Sequence, residues 1–356
     1  MNNIRKIQEK LIEKNLDAVL VTDEKNQRYA TGFPFTDGAV IVARSAAWLI
    51  TDSRYIEAAT NTAACCCNVQ MFDREHSRLS LIQAALKEAG VERLGAEEEK
   101  LSHAEYLGYE KSLGMELLPA QAIFSELRAS KSEEEIGYLR EAQAISEKAL
   151  AEVLRIIKPG MTERQVAAEL VYHMLLNGSE GNSFDPIVIT GKKTSMPHGV
   201  PGDEVIHEGD FVTMDFGCLK HGYCSDMTRT IALGYVSEKM DKVYHTVLEA
   251  QLAGIAATKA GVAGREMDAA ARNVINAAGF EGLFGHSYGH SLGLLIHEGP
   301  YANTRNDKPM PAGAVVSAEP GIYIPDEFGV RIEDVTVITE TGCEILTKSP
   351  KNLIIL

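Results

Sequence analysis

The stretch Phe211-Val212-Thr213-Met214-Asp215-Phe216-Gly217, and beyond the turn residues Lys220-His221-Gly222 the stretch Ser225-Asp226-Met227-Thr228-Arg229-Thr230, decide how this chain is read. Both are short, apolar and rich in strand formers, and the residues between them favour a turn, which is the pattern of a β-hairpin. With the turn centred on Lys220 and His221, Asp215 and Asp226 fall directly opposite one another. Opposed Cβ atoms lie about 4.5–5.5 Å apart, and like charges there destabilise the pairing unless something compensates them. A bound cation is the economical compensation. An isolated pair of this kind often reduces to one turn-capping Asp and one solvated Asp, but here both sit inside strand-like apolar runs.

A second acidic pair behaves in the same way. Glu319, in Ser317-Ala318-Glu319-Pro320-Gly321, and Glu333, in Val330-Arg331-Ile332-Glu333-Asp334-Val335, face each other across a hairpin whose loop runs over Ile324 to Phe328. Between the two pairs lies Gly289-His290-Ser291-Leu292-Gly293-Leu294-Leu295-Ile296-His297-Glu298-Gly299-Pro300. A lone histidine is more often a core residue than a ligand, yet His198, His286, His290 and His297 all occupy Gly- or Pro-bearing segments. His297-Glu298 is not the His-Glu-x-x-His helix of single-zinc proteases, because position 301 is Tyr301. Four carboxylates with an imidazole form a hard, oxygen-rich donor set suited to Mn, Co, Zn or Fe. Two such ions acidify water and hold an attacked carbonyl oxygen, so hydrolysis of an amide is the natural use.

Around this constellation the pattern is that of a mixed α/β protein. Upstream, the spacing predicts a helix from Ile136 to Leu154, another beginning at a Thr162 N-cap with Gln165 completing a capping box, and downstream helices over 238–260 and 264–278. From Ala314 to the end the chain alternates like strands. The first third predicts a helix near 2–15, strands near 17–22, 38–43 and 47–52, and a helix near 77–90, a small α/β domain. The polar stretch Ser125 to Glu135 marks a boundary, giving domains 1–124 and 125–356. Two domains also suit a chain of 356 residues.

The net charge of -15 argues against a phosphate-tracking surface and so against nucleic acid as a partner. The N-terminal helix is amphipathic, without the unbroken apolar core of a signal peptide, and no apolar run is long enough to span a bilayer, so no membrane association is expected. Cys65, Cys66 and Cys67 are adjacent and suit a reducing cytoplasm, and Cys218 and Cys224 are read as two reduced, packed thiols.

In their order and spacing, Pro197-His198-Gly199, Met214-Asp215-Phe216-Gly217, Ser225-Asp226-Met227-Thr228-Arg229-Thr230, Gly289-His290 through His297-Glu298, Ala318-Glu319-Pro320-Gly321 and Arg331-Ile332-Glu333-Asp334 resemble the Xaa-Pro aminopeptidases and Xaa-Pro dipeptidases (prolidases). Asn26-Gln27-Arg28-Tyr29, Thr31-Gly32-Phe33 and Thr51-Asp52-Ser53-Arg54-Tyr55 are similar to that family's creatinase-type N-terminal domain, which methionine aminopeptidases lack. The resemblance implies a creatinase-like α/β domain followed by a pita-bread catalytic domain, two divalent metal ions (Mn first, with Co, Zn or Fe as alternatives), a peptide substrate with proline second, and a homodimer. Carried over by position, it makes Asp215, Asp226, His290, Glu319 and Glu333 the metal ligands, with Asp226 and Glu333 bridging. Glu319 becomes the proton acceptor, His198 and His297 hydrogen-bond the peptide and its tetrahedral intermediate, His286 and Arg331 shape the proline pocket, and Tyr323 holds the bridging glutamate network.

Ser291, Leu295 and Tyr288 depart from the family pattern, where glycine, an acid and a smaller residue are frequent, and are expected to alter the pocket and substrate preference. Two other readings compete: a metal-free creatinase-like hydrolase, and a catalytically silent pita-bread module that binds a partner protein. Neither requires all five ligand positions to be intact. Asp215-Phe216-Gly217 as a kinase motif lacks the accompanying Gly-rich and catalytic loops.

Overall fold

The computed structural model describes residues 2–356. The chain forms two compact units, Met1–Arg128 and Ala129–Leu356. The first is built on a six-stranded mixed sheet whose spatial order is Asn68–Met71, Ala47–Thr51, Gly38–Ala43, Ala18–Val21, Leu94–Ala96 and Leu117–Pro119. Its central strands are buried on both faces, so they read as continuous apolar runs instead of alternating ones. The helix at the start is Ile4–Glu13, and the one expected near 77–90 is Arg78–Glu88. Polar composition hid other elements. The helix Glu24–Thr31, capped by Asp23, falls on Asn26-Gln27-Arg28-Tyr29, and the helix Gln121–Ala129 runs through part of the polar stretch around Ser125.

In the second unit a capping box at Ser132 and Glu135 starts the helix Glu133–Ile156, and the predicted box at Thr162 and Gln165 starts Glu163–Leu176. These two helices bury Ala142, Leu150, Val166 and Leu170 against Val188, Val212, Met214 and Ile231. Those apolar partners come from a three-stranded antiparallel sheet, Met227–Ala232, Phe211–Phe216 and Ile187–Thr190. A second helix pair, Glu238–Ala257 and Gly264–Ala277, packs Val243, Val247, Met267 and Ala271 with Val316, Ala318, Ile322 and Val330. The last four belong to a five-stranded sheet, in the order Glu298–Ala302, Gly289–Ser291, Val315–Ala318, Asp334–Ile338 and Cys343–Ile345, and to the hairpin Gly321–Ile324 with Phe328–Arg331. The helices thus cover one side of the strands and leave the other to line a cavity.

The register of the first hairpin differs from expectation. Lys220 pairs with Tyr223, which leaves His221 and Gly222 as the two turn residues, at φ 50° and 74°. Two consecutive left-handed residues make the turn that matches strand twist, and glycine in the second position permits it. Asp215 therefore pairs with Thr228, and Asp226 lies at the level of Gly217 as a diagonal neighbour, not a direct partner. A shift of the partner by two residues keeps both carboxylates on one face, where a shift of one would have separated them. In the second hairpin the ladder runs through Gly321 with Arg331 and through Ala318 with Asp334, so Glu319 and Glu333 do stand opposite each other, in the gap between the two paired segments.

Candidate active site

Four separate backbone segments converge on one cavity of about 440 Å³, lined by His198, Asp215, Asp226, His286, His290, His297, Glu319, Arg331 and Glu333, with Phe184, Ile187 and Ile296 as its apolar wall. The segments are tied to one another before any ligand is considered. The Glu333 N–H donates to the Thr228 carbonyl at 3.1 Å, and the Glu319 N–H to the Tyr288 carbonyl at 2.9 Å. A Cβ on Gly289 would lie 1.9 Å from the Ser317 carbonyl oxygen, so only glycine lets the strand bearing His290 approach the strand leading to Glu319.

Each glutamate is aimed by a hydroxyl, one reaching across from another segment and one two residues back in its own chain segment. Thr228 Oγ1 donates to Glu333 Oε2 at 2.7 Å, and Ser317 Oγ to Glu319 Oε1 at 2.9 Å. Arg331 is buried and fully engaged, donating from Nη2 to Asp215 Oδ2 at 2.6 Å, from Nη1 to the Tyr323 hydroxyl at 2.9 Å and from Nε to Thr228 Oγ1 at 3.0 Å. His286 Nε2 meets the same Tyr323 hydroxyl at 2.8 Å.

Electrostatically the cluster is under tension. Burial, then the Asp215 and Glu319 charges, push the Asp226 carboxyl well above its usual range, and burial with Asp226 does the same to Glu333. Glu319 is raised to about 7 by burial, against the opposing pull of Arg331. Burial lowers His290, so its ring stays neutral near pH 7.

The donor set fits a cation. Asp215 Oδ1 is buried with no hydrogen-bond partner. His290 Nδ1 reaches the Ser291 carbonyl at 3.2 Å, which assigns the ring proton to that nitrogen. Its bare Nε2 then faces Asp226 Oδ2 at 3.6 Å and Glu319 Oε1 at 3.3 Å, lone pair against carboxylate. One ligand atom each from Asp226, His290 and Glu333 all lie within 4.8 Å of one another. Orphaned acceptors and no donor between them are what a divalent cation resolves.

Comparison with known proteins agrees with this chemistry. Residues 137–340 match the profile of Metallopeptidase family M24, and residues 3–130 that of the Creatinase/Prolidase N-terminal domain. The chain belongs to metallopeptidase family M24. It is 42% identical to the uncharacterized peptidase YqhT of Bacillus subtilis over 96% of each chain. Among solved structures, it is similar to the Xaa-Pro dipeptidase from Bacillus anthracis (41% identity, TM-score 0.95, 99% of each chain) and to the X-Pro aminopeptidase from Thermotoga maritima (34% identity, TM-score 0.93, 98% of this chain and 99% of the other). The pita-bread catalytic unit and creatinase-like N-terminal unit of this M24 chain are those of its structural neighbours.

Tyr323 stands behind the cavity wall: its hydroxyl accepts from Arg331 and meets His286, and Arg331 donates to Thr228, which donates to Glu333, so its link to that glutamate is indirect. One expectation needs correction. Ser291, Leu295 and Tyr288 are also absent from the lining. Tyr288 turns away to pack on Gly254, where a Cβ would meet its ring at 2.3 Å, and Ser291 Oγ accepts from the buried Lys131 Nζ at 2.8 Å. The alternation that signalled the strands predicts this for Ser291, one residue from His290 and on the opposite face. Thr228 and Ser317 also serve the site, and Tyr301 lines its cavity. The first two were legible as polar residues two positions from a carboxylate, whereas Tyr301 carried no such signal.

Proposed function

We propose that this chain hydrolyses the bond between an N-terminal residue and a following proline, with two divalent cations held by Asp215, Asp226, His290, Glu319 and Glu333. The observation that carries the reading is four carboxylates lining one buried cavity with an imidazole whose unprotonated nitrogen faces two of them, Asp226 and Glu319. Relatives of nearly full length are named Xaa-Pro dipeptidase and X-Pro aminopeptidase, which supports proline as the second residue.

Bound divalent cations supply an acidified water and polarise the scissile carbonyl. The protein groups supply the rest. Glu319 takes the proton from the attacking water and returns it. That return matters here, because the nitrogen of an Xaa-Pro bond carries no hydrogen and departs only after protonation. His198 and His297, at the exposed side of the cavity, hydrogen-bond the peptide carbonyl and the oxyanion that replaces it. Arg331 and His286, fixed by Tyr323, bound the proline side. Mn is the first choice of metal, and a cytoplasmic homodimer the assembly; six free thiols support the reducing compartment.

The test supplies Mn to metal-stripped protein and follows release of free alanine from Ala-Pro, Ala-Pro-Ala and Ala-Ala-Ala. Cleavage confined to the proline peptides, abolished by Asp226→Ala with the circular dichroism spectrum preserved, is expected. Undiminished turnover in Asp226→Ala refutes the site.

A further inference from the structure

Beside the cavity just described lies a second one of about 420 Å³, lined by Arg272, Gly285, His286, Ser287, Asn303, Thr304 and Arg305. His286 and Ser287 belong to both, so the two spaces are separated by a single stretch of backbone. Their charges are opposite in kind. The first carries Asp215, Asp226, Glu319 and Glu333 at its floor, and two divalent cations there bring those four charges to neutrality without a surplus. The guanidinium in its lining, Arg331, is committed to Asp215, Thr228, Tyr323 and the Pro197 carbonyl. A free dipeptide ending in proline places its own carboxylate in this space, where among the described residues no lysine or further arginine lines the wall to receive it.

The second cavity does offer a cation. Arg272 is spent on structure, bidentate to Asp268 at 2.7 and 2.9 Å and donating to the Phe284 and His286 carbonyls. The Arg305 side chain is exposed and, among the described residues, makes no hydrogen bond or ion pair. Its backbone is nonetheless pinned. Asn303 Oδ1 accepts from the N–H groups of Arg305 and Asn306 at 3.0 and 2.9 Å, and Asn306 Nδ2 donates to the Tyr301 carbonyl at 2.7 Å. An uncommitted guanidinium on a fixed backbone beside Ser287, Asn303 and Thr304 is free to take a carboxylate in a bidentate pair, with only its own side chain left to order.

We propose that this second cavity is the subsite for the C-terminal carboxylate of a tripeptide, held by Arg305, so that the enzyme acts on Xaa-Pro-Zaa in preference to free Xaa-Pro. One further residue lengthens an extended chain by ~3.5 Å and so moves the carboxylate away from the metal site toward the shared His286-Ser287 backbone. The inference rests on the Xaa-Pro reading, and its test separates the two.

The experiment measures kcat and KM with Mn for Ala-Pro, Ala-Pro-Ala and the C-terminal amide of Ala-Pro-Ala, in wild type, Arg305→Gln and Arg305→Lys. Wild type is expected to favour Ala-Pro-Ala over both other peptides by about fivefold to tenfold in kcat/KM, the scale of one net hydrogen bond. Arg305→Gln should bring the ratio of acid to amide close to one by raising KM for the acid, and Arg305→Lys should restore part of it. Ala-Pro turned over as well as Ala-Pro-Ala, or an acid-to-amide ratio untouched by Arg305→Gln, overturns the subsite and leaves the peptidase reading standing. No alanine from any of the three overturns both.

Discussion

Metal uptake by this protein should expel protons, and the amount follows from the buried carboxylates. Glu319 has its carboxyl raised to about 7, and Asp226 and Glu333 are pushed well above their usual range. A ligand carboxylate must be ionised to bind, so protons on these groups compete with the cation. At pH 6 Glu319 is about nine-tenths protonated and at pH 8 about one-tenth, given a midpoint near 7. Between pH 5.5 and 6.5 the apparent affinity should therefore climb about tenfold per pH unit from Glu319 alone, worth ~1.4 kcal/mol. Protons held by Asp226 and Glu333 steepen the slope further. Calorimetric titration of MnCl2 into metal-free protein, at pH 6, 7 and 8 and in two buffers of different ionisation enthalpy, counts the protons directly. Affinity flat from pH 6 to 7 with no proton released would refute the reasoning.

The same shifts act on folding. A raised carboxyl means the native metal-free state binds more protons than the unfolded chain, so its stability should fall as pH rises from about 4 through 7, a trend that denaturant melts would reveal and bound metal should reverse. Lys131→Met removes the cation that faces buried Glu298 at 2.9 Å and should destabilise the catalytic unit by ~3–5 kcal/mol in chemical denaturation; a loss below ~1 kcal/mol would place that pair among the weak surface ones. Gly217→Ala puts a Cβ 1.9 Å from the Ser225 carbonyl, and because backbone must move, a cost of ~3 kcal/mol is expected, with Asp215 and Asp226 displaced and metal affinity lowered together. An unchanged melting temperature would show that the hairpin bends freely there.

Strong local signals made much of this protein readable in advance. The helix Glu163–Leu176 announced itself through Thr162 and Gln165, and the strand Phe211–Phe216 through its apolar run. The helix Glu24–Thr31 did not, because its residues are polar and its burial comes from neighbours distant in sequence. In the first hairpin, a turn position off by one residue moved the expected partner of Asp215 from Asp226 to Thr228.

Sequence alone determined which side chains share a face, since alternation along a strand is local: Asp215 with Thr213, Asp226 with Thr228, Glu319 with Ser317. It also determined the hard character of the donor set. Tertiary structure decided what those side chains meet. That Asp215 Oδ1 is left without a partner, that His290 presents its bare nitrogen to two carboxylates, and that Arg331 is consumed while Arg305 is not, all follow from distances between segments far apart in the chain. Burial and Coulomb energy depend on those distances, and periodicity along one strand carries no information about them.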